Sequence, residues 1–248
     1  MNDNLGAVAI TAVWLGFLHT LCGPDHYLPF VAMSRAGGWG WRKTTIVTML
    51  CGLAHVASSV VLGFVGIAFG VLLFKLETIE ESRGNLAGWL LIAFGWSYFV
   101  WGVVQALRNR PHTHLHVHPD GTMHAHEHTH QAEHLHAHLE ASRETDPDTA
   151  ARALTPWILL TIFLFGPCEP LIPLVMYPAA QANYWGVVWV ASLFGLTTLA
   201  TMTGMVLLMY RGVGAFRLEG MQRYSHALAG LVVLSCGVAI KLLPPLPT

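Results

Sequence analysis

The sequence predicts an all-α membrane protein of six transmembrane helices, arranged as a 3+3 inverted repeat with helices one and four broken. Three observations predict it. Hydrophobic residues make up 54% of the 248 and charged residues only 11%, where a soluble domain carries about a quarter charged. The few charges are bunched between long apolar runs, as in a chain whose solvent is mostly lipid. A Gly-Pro motif then recurs inside two of those runs, as GPDHYLPF at 23–30 and GPCEPLIPL at 166–174.

A span needs roughly 20 apolar residues to cross ~30 Å of hydrocarbon. The runs that meet this are 5–33, 44–74, 86–107, 156–180, 184–210 and 225–243. They group as a first three-helix repeat (1–107), a polar histidine-rich loop (108–152) and a second three-helix repeat (153–248). The first 20 residues lack the basic segment that opens a signal peptide, so span one is expected to be retained. Glycines, 24 in all, lie largely within the apolar runs, where membrane helices use them to pack closely. The loops after spans one, three and five hold Arg35, Arg42, Lys43, Arg108, Arg110, Arg143, Arg152, Arg211, Arg217 and Arg223; the other side holds only Lys75, Arg83 and Lys241. By the positive-inside rule both termini lie outside a plasma (inner) membrane and the histidine-rich loop is cytoplasmic.

Three spans per half force the halves to insert with opposite orientation. A Gly-Pro step inside a span breaks the hydrogen-bond ladder and frees backbone groups that lipid cannot satisfy. Two breaks at matching positions therefore point to a binding site between the repeats. By these spans the acids well inside the membrane are Asp25 and Glu169, one in each motif. A carboxylate at that depth costs several kcal/mol unless it is paired, protonated or bound to a cation. His19, His26 and His55 lie in spans one and two, and Cys168 lies beside Glu169, with Cys22 as a further thiol at the first break. Imidazole, carboxylate and thiol at one depth suit a transition metal, whereas a magnesium or calcium site would be built of oxygens alone.

These residues resemble a family. HTLCGPDH at 19–26 is similar to the signature of the nickel/cobalt transporter family, a histidine followed by Asp-His, with one more intervening residue here. GLAHVASSVV at 52–61 is similar to that family's second motif, with Ala54 where the family has glycine. The six-span plan with a histidine-rich loop also resembles the related nickel/cobalt efflux permeases, within a superfamily that includes the thiol–disulfide carriers of cytochrome c biogenesis. The resemblance implies a permease that binds nickel or cobalt, with zinc as an alternative, through His19, Asp25, His26 and His55. Alternating access, with proton coupling through Asp25, Glu169 or an imidazole, is the expected mechanism.

The loop holds 11 of the 15 histidines. His112, His114, His116 and His118 alternate with other residues, as do His124, His126, His128 and His130, with Pro-Asp-Gly between the runs. Alternation around such a turn is a hairpin signal, and the opposing reading is a disordered tract that gathers metal loosely. Because a lone two-stranded hairpin is marginal in water, the expectation is disorder without metal and partial order with it.

Net charge is −1, which gives a nucleic-acid partner no electrostatic support. No nucleotide-binding GxxxxGK[ST] loop is present, so neither an ATP-driven pump nor another enzyme is expected. The four cysteines lie in apolar segments, which argues against an exposed disulfide framework. One alternative function remains open, a transmembrane thiol–disulfide electron carrier using Cys22 and Cys168. No permanently bound cofactor is expected, the partners being the metal cargo and lipid, with a homodimer as an open assembly.

Overall fold

Many large apolar side chains face outward, while a set of polar ones lies inward. Trp185 is 84% exposed and Phe69 81%, with Ile10 and Leu242 close behind, while Thr20, Thr48, His55, Ser59, Glu80 and Thr198 are buried. In water this arrangement would not be stable; against hydrocarbon it is the expected one. Several serine and threonine hydroxyls within the helices are satisfied locally, as where Thr20 donates to the Gly16 carbonyl at 2.8 Å and Thr11 to Ala7 at 2.9 Å.

The computed structural model describes residues 3–71, 73–108, 112–117, 123–128, 147–215 and 222–242. Among these residues five helices are long and apolar enough to cross a membrane: α1 (Asp3–Cys22), α3 (Trp41–Ala68), α4 (Leu73–Arg108), α7 (Tyr184–Ala215) and α8 (Ser225–Leu242). After α1 the chain makes a 3-10 turn, Pro24–His26, and resumes as α2 (Leu28–Ala36). In place of a continuous fourth span stand two shorter helices, α5 (Pro147–Phe165) and α6 (Leu171–Ala180), parted at 166–170. The two interruptions fall at the two Gly-Pro steps, where proline removes an N–H and its ring crowds the preceding turn.

The α4 helix starts at Leu73, well before the expected position 86. A hydropathy window stops at Lys75, Glu77, Glu80, Glu81 and Arg83, yet the helix continues through them. Leu76, Glu80, Gly84, Ala87 and Leu91 form one buried stripe at three- to four-residue spacing. At 36 residues α4 is ~54 Å long, so it outreaches a ~30 Å hydrocarbon layer. The turn before it closes on Gly70 at φ 62°, with the Val71 N–H on the Gly66 carbonyl at 2.8 Å, a left-handed helix stop that glycine adopts without strain.

Helices α4 and α8 pack backbone to backbone. Gly88, Gly95 and Gly102 on α4 recur every seven residues, as do Gly230 and Gly237 on α8. A Cβ on Gly230 would lie 2.3 Å from the Phe99 nitrogen, one on Gly102 2.3 Å from that of Ala227, and one on Gly95 2.4 Å from that of Leu234. Small residues at such a seam let membrane helices approach closely enough for backbone dispersion and Cα–H contacts to hold them. Elsewhere Arg35, at the end of α2, stacks 4.6 Å over the Tyr210 ring and donates to its carbonyl, and the Tyr210 hydroxyl donates to the Trp39 carbonyl at 3.0 Å.

Outside the helical body, β1 (His112–Val117) and β2 (Met123–His128) pair antiparallel. The pairing is the one that the alternation signalled, in place of the disordered tract that was expected. His118 and His130, the last histidine of each run, lie outside the described residues.

The seam yields a direct test. Gly230→Ala drives a methyl into the α4 backbone and is expected to cost about 1–3 kcal/mol or more, lowering the melting temperature of the detergent-purified protein. Gly204→Ala in α7, where nothing lies within 4 Å of the added Cβ, serves as the control and is expected to melt as wild type.

Candidate metal centre

The first break gathers two histidines. His19 sits in the last turn of α1, and His26 closes the 3-10 turn that follows it. Their rings lie 4.7 Å apart at 78°. Gly23 is required between them, since a Cβ there would stand 2.5 Å from His26 Nδ1.

His55 comes from the middle of α3, with its ring 5.1 Å from that of His26. Cys168 comes from the second break and is fully buried. One ligand atom from each of His19, His55 and Cys168 lies within 4.8 Å of the others. A bound tetrahedral ion would draw such atoms to roughly 3.3–3.8 Å of one another, a closure that side-chain rotation can supply. Gly166 is as constrained as Gly23: its Cβ would meet His55 Nδ1 at 2.9 Å. Each Gly-Pro step thus gives up a side chain so that an imidazole can approach the backbone.

Hydrogen bonding fixes one imidazole. His26 Nδ1 donates to the Gly23 carbonyl at 3.1 Å and lies 3.5 Å from Asp25 Oδ2. With its proton on Nδ1, His26 carries its lone pair on Nε2, and an oxygen acceptor behind a histidine is the usual way a metal ligand is oriented. Among the described residues nothing meets that lone pair. Among the described residues, seven buried side-chain polar atoms lack a partner, and four of them are His19 Nε2, His26 Nε2, His55 Nδ1 and His55 Nε2. Buried polar groups are nearly always paired, so four orphans on three neighbouring rings mark this cluster as the candidate site.

A cavity of about 660 Å³ opens beside the cluster, with all three histidines in its wall. Asp25 lines it with its side chain 29% exposed, and Glu169, Cys22 and Cys236 line it as well. The expected ligands therefore divide. His19, His55 and Cys168 form the tight group, with His26 against both rings; Asp25 borders His26; Glu169 and the exposed thiol Cys22 face the cavity outside the group. In the hairpin, the register sets His112 opposite His128, His114 opposite His126, and His116 opposite His124. His226, at the start of α8, is hydrogen-bonded to Tyr98 at 2.8 Å and packs against Trp101.

Sequence reasoning missed a second polar cluster against this one. Glu80 is 1% exposed and paired with Arg83 at 2.5 Å. Both contact Ser59, and Glu80 also reaches the Cys168 amide. The available signal was the Glu-x-x-Arg spacing of an i,i+3 helical pair, together with Ser59 one turn after His55. No protein-family model, curated protein or solved structure matches this chain.

An unpartnered buried imidazole destabilises the empty protein by about 1–3 kcal/mol. His55→Leu is therefore expected to melt no lower than wild type in the presence of a chelator, while losing the rise in melting temperature that Co2+ gives wild type by mass action. Differential scanning fluorimetry in detergent reads both; a Co2+-induced rise in the variant equal to that in wild type contradicts the assignment of His55.

Proposed function

We propose that this protein is a secondary transporter of divalent transition-metal ions, nickel or cobalt first, working by alternating access between two inverted three-span repeats. The observation that carries the reading is the set of four unpartnered imidazole nitrogens beside a buried thiol, on a cavity that two carboxylates border. Imidazole suits nickel, cobalt and zinc, and thiolate adds preference for softer or borderline ions. The resemblance of residues 19–26 and 52–61 to the nickel/cobalt transporter motifs falls on the same histidines.

Helix packing supports the inverted repeat. Exchanging the first and fourth spans, second and fifth, and third and sixth carries α1 and α2 onto α5 and α6, α3 onto α7, and α4 onto α8. Under that exchange α1–α7 packing becomes α5–α3, α2–α8 becomes α6–α4, and α2–α7 becomes α6–α3. The α3–α7 and α4–α8 pairs map onto themselves. A site between such halves is where transporters of this plan hold their cargo. The excess of Lys and Arg after spans one, three and five supports a cytoplasmic histidine-rich loop.

In the proposed cycle a dehydrated ion sits among His19, His26, His55 and Cys168, with Asp25 or Glu169 drawing the cation through the cavity. Protonation of a carboxylate or an imidazole weakens ligation and releases the ion, which couples transport to protons. The thiol–disulfide alternative leaves the three histidines without a role, and its two thiols differ in setting: Cys22 is exposed and Cys168 fully buried. The metal reading accounts for more of the site.

Two measurements test it. Asp25→Asn and His26→Ala are each expected to abolish uptake of radioactive nickel or cobalt into proteoliposomes while the protein still inserts; wild-type flux in both sinks the proposal. Deleting residues 112–138 is expected to lower the number of ions bound per chain in calorimetry but to leave the tighter intramembrane site. Binding by the loop must order backbone, at about 1–2 kcal/mol per residue fixed. Loop affinity is expected to fall below about pH 6, because imidazoles of pKa near 6.5 gain a proton there and lose the lone pair.

A further inference from the structure

Resting on the metal-transport reading, we propose that Glu80, Arg83 and Ser59 are positioning residues that hold Cys168 in the ligand set, so that sulfur ligation depends on a clamp formed by α3 and α4. The argument begins with how the two breaks satisfy their freed backbone groups. At the first break the chain uses atoms from its own segment: His26 Nδ1 donates to Gly23 O, and the Tyr27 hydroxyl donates to Leu21 O at 3.2 Å. The second break is supported from outside. Arg83 Nη2 donates to Leu164 O at 2.9 Å and Gly166 O at 3.3 Å, taking the carbonyls that the end of α5 leaves open. The Cys168 N–H donates to Glu80 Oε2 at 3.1 Å and Ser59 Oγ at 3.2 Å. Proline on each side of the Cys168–Glu169 pair restricts φ and removes donors there, so the Cys168 amide is one of the few donors by which the segment can be held.

The remaining bonds make the clamp a unit. Arg83 Nη1 meets Glu80 Oε1 at 2.5 Å and Ser59 Oγ at 3.2 Å, and Arg83 Nη2 reaches Ser58 Oγ at 2.6 Å. Ser59 in turn donates to Glu80 Oε2 at 3.2 Å. Gly84, the next residue of α4, leaves room for Pro167, whose Cγ would lie 2.8 Å from an added Cβ. On α3 the Ser58 hydroxyl donates to the His55 carbonyl at 2.8 Å, one turn before Ser59. The same stretch of α3 therefore presents His55 to the cluster and fixes the amide of Cys168. A buried ion pair is weak evidence of added stability, since a well-packed apolar pair can serve as well. Its value here is geometric: it sets where a sulfur stands relative to two imidazoles. Groups that orient metal ligands in this way are commonly worth about 10- to 100-fold in affinity.

The experiment is Co2+ titration of the full-length protein in detergent, followed by absorption spectroscopy. Wild type is expected to show a sulfur-to-cobalt charge-transfer band that Cys168→Ser removes. Ser59→Ala and the paired Glu80→Gln/Arg83→Met variant are expected to bind Co2+ about 10- to 100-fold more weakly and to lose most of that band while keeping the ligand-field bands of histidine coordination. A purely structural role would lower the melting temperature and leave the band of the folded fraction unchanged. Should the paired variant fail to fold, Ser59→Ala, which lacks a single hydroxyl, decides the matter. Unchanged band and affinity in Ser59→Ala overturn the inference. A wild-type protein that binds Co2+ without a sulfur band also overturns it and leaves the metal-site reading standing, whereas no binding by wild type overturns that reading as well.

Discussion

Hydrocarbon offers no hydrogen bonds, and every backbone group released inside it must find a partner within the protein. Two Gly-Pro steps release such groups here, and much of the interior is arranged around them. They oblige α1 and α5 to end among other helices, they draw His26, Tyr27, Ser59, Glu80 and Arg83 inward, and they leave room beside the backbone that the His26 and His55 rings occupy. A continuous helix at either position would bury its own polar groups and leave nothing with which to build a site.

The two breaks then differ in kind. The first turns back on itself through a 3-10 turn and brings two imidazoles together, with His19 before the turn and His26 within it. The second is held by charged and hydroxyl side chains of α3 and α4 and supplies a thiol. The breaks thus present different chemistry, imidazoles at the first and a buried thiol at the second.

Much of this was legible in the sequence, for physical reasons. Helix-breaking chemistry is local, so both interruptions were readable from Gly-Pro alone. Hydrophobic length marks most spans, and acids or histidines in apolar surroundings are conspicuous, which brought His19, His26, His55 and Cys168 forward together. The failures came where tertiary packing overrides composition. Glu80 and Arg83 stand in a stretch too charged to score as membrane helix, yet α4 runs through it because its buried stripe recurs at helical spacing. Which of Cys168 and Glu169 turns toward the histidines could not be read either, since adjacent residues at a break point in directions set by hydrogen bonds to distant helices. The α4–α8 seam was hidden for a simpler reason: glycine abundance signals close packing without saying which glycines meet.

That seam has a genetic consequence. Any substitution at Gly95, Gly102 or Gly230 adds a Cβ, and each would fall against the neighbouring main chain. No amino acid is a conservative replacement for glycine at those codons, and nearly every missense change there is expected to be purged. The lipid-facing positions, such as Trp185 and Ile10, need only remain apolar and can be exchanged freely among bulky side chains. Sequence drift should therefore run fast over the outer surface and slowly along one thin line of the smallest residues, so that the least chemically distinctive positions in the chain carry some of its heaviest purifying selection.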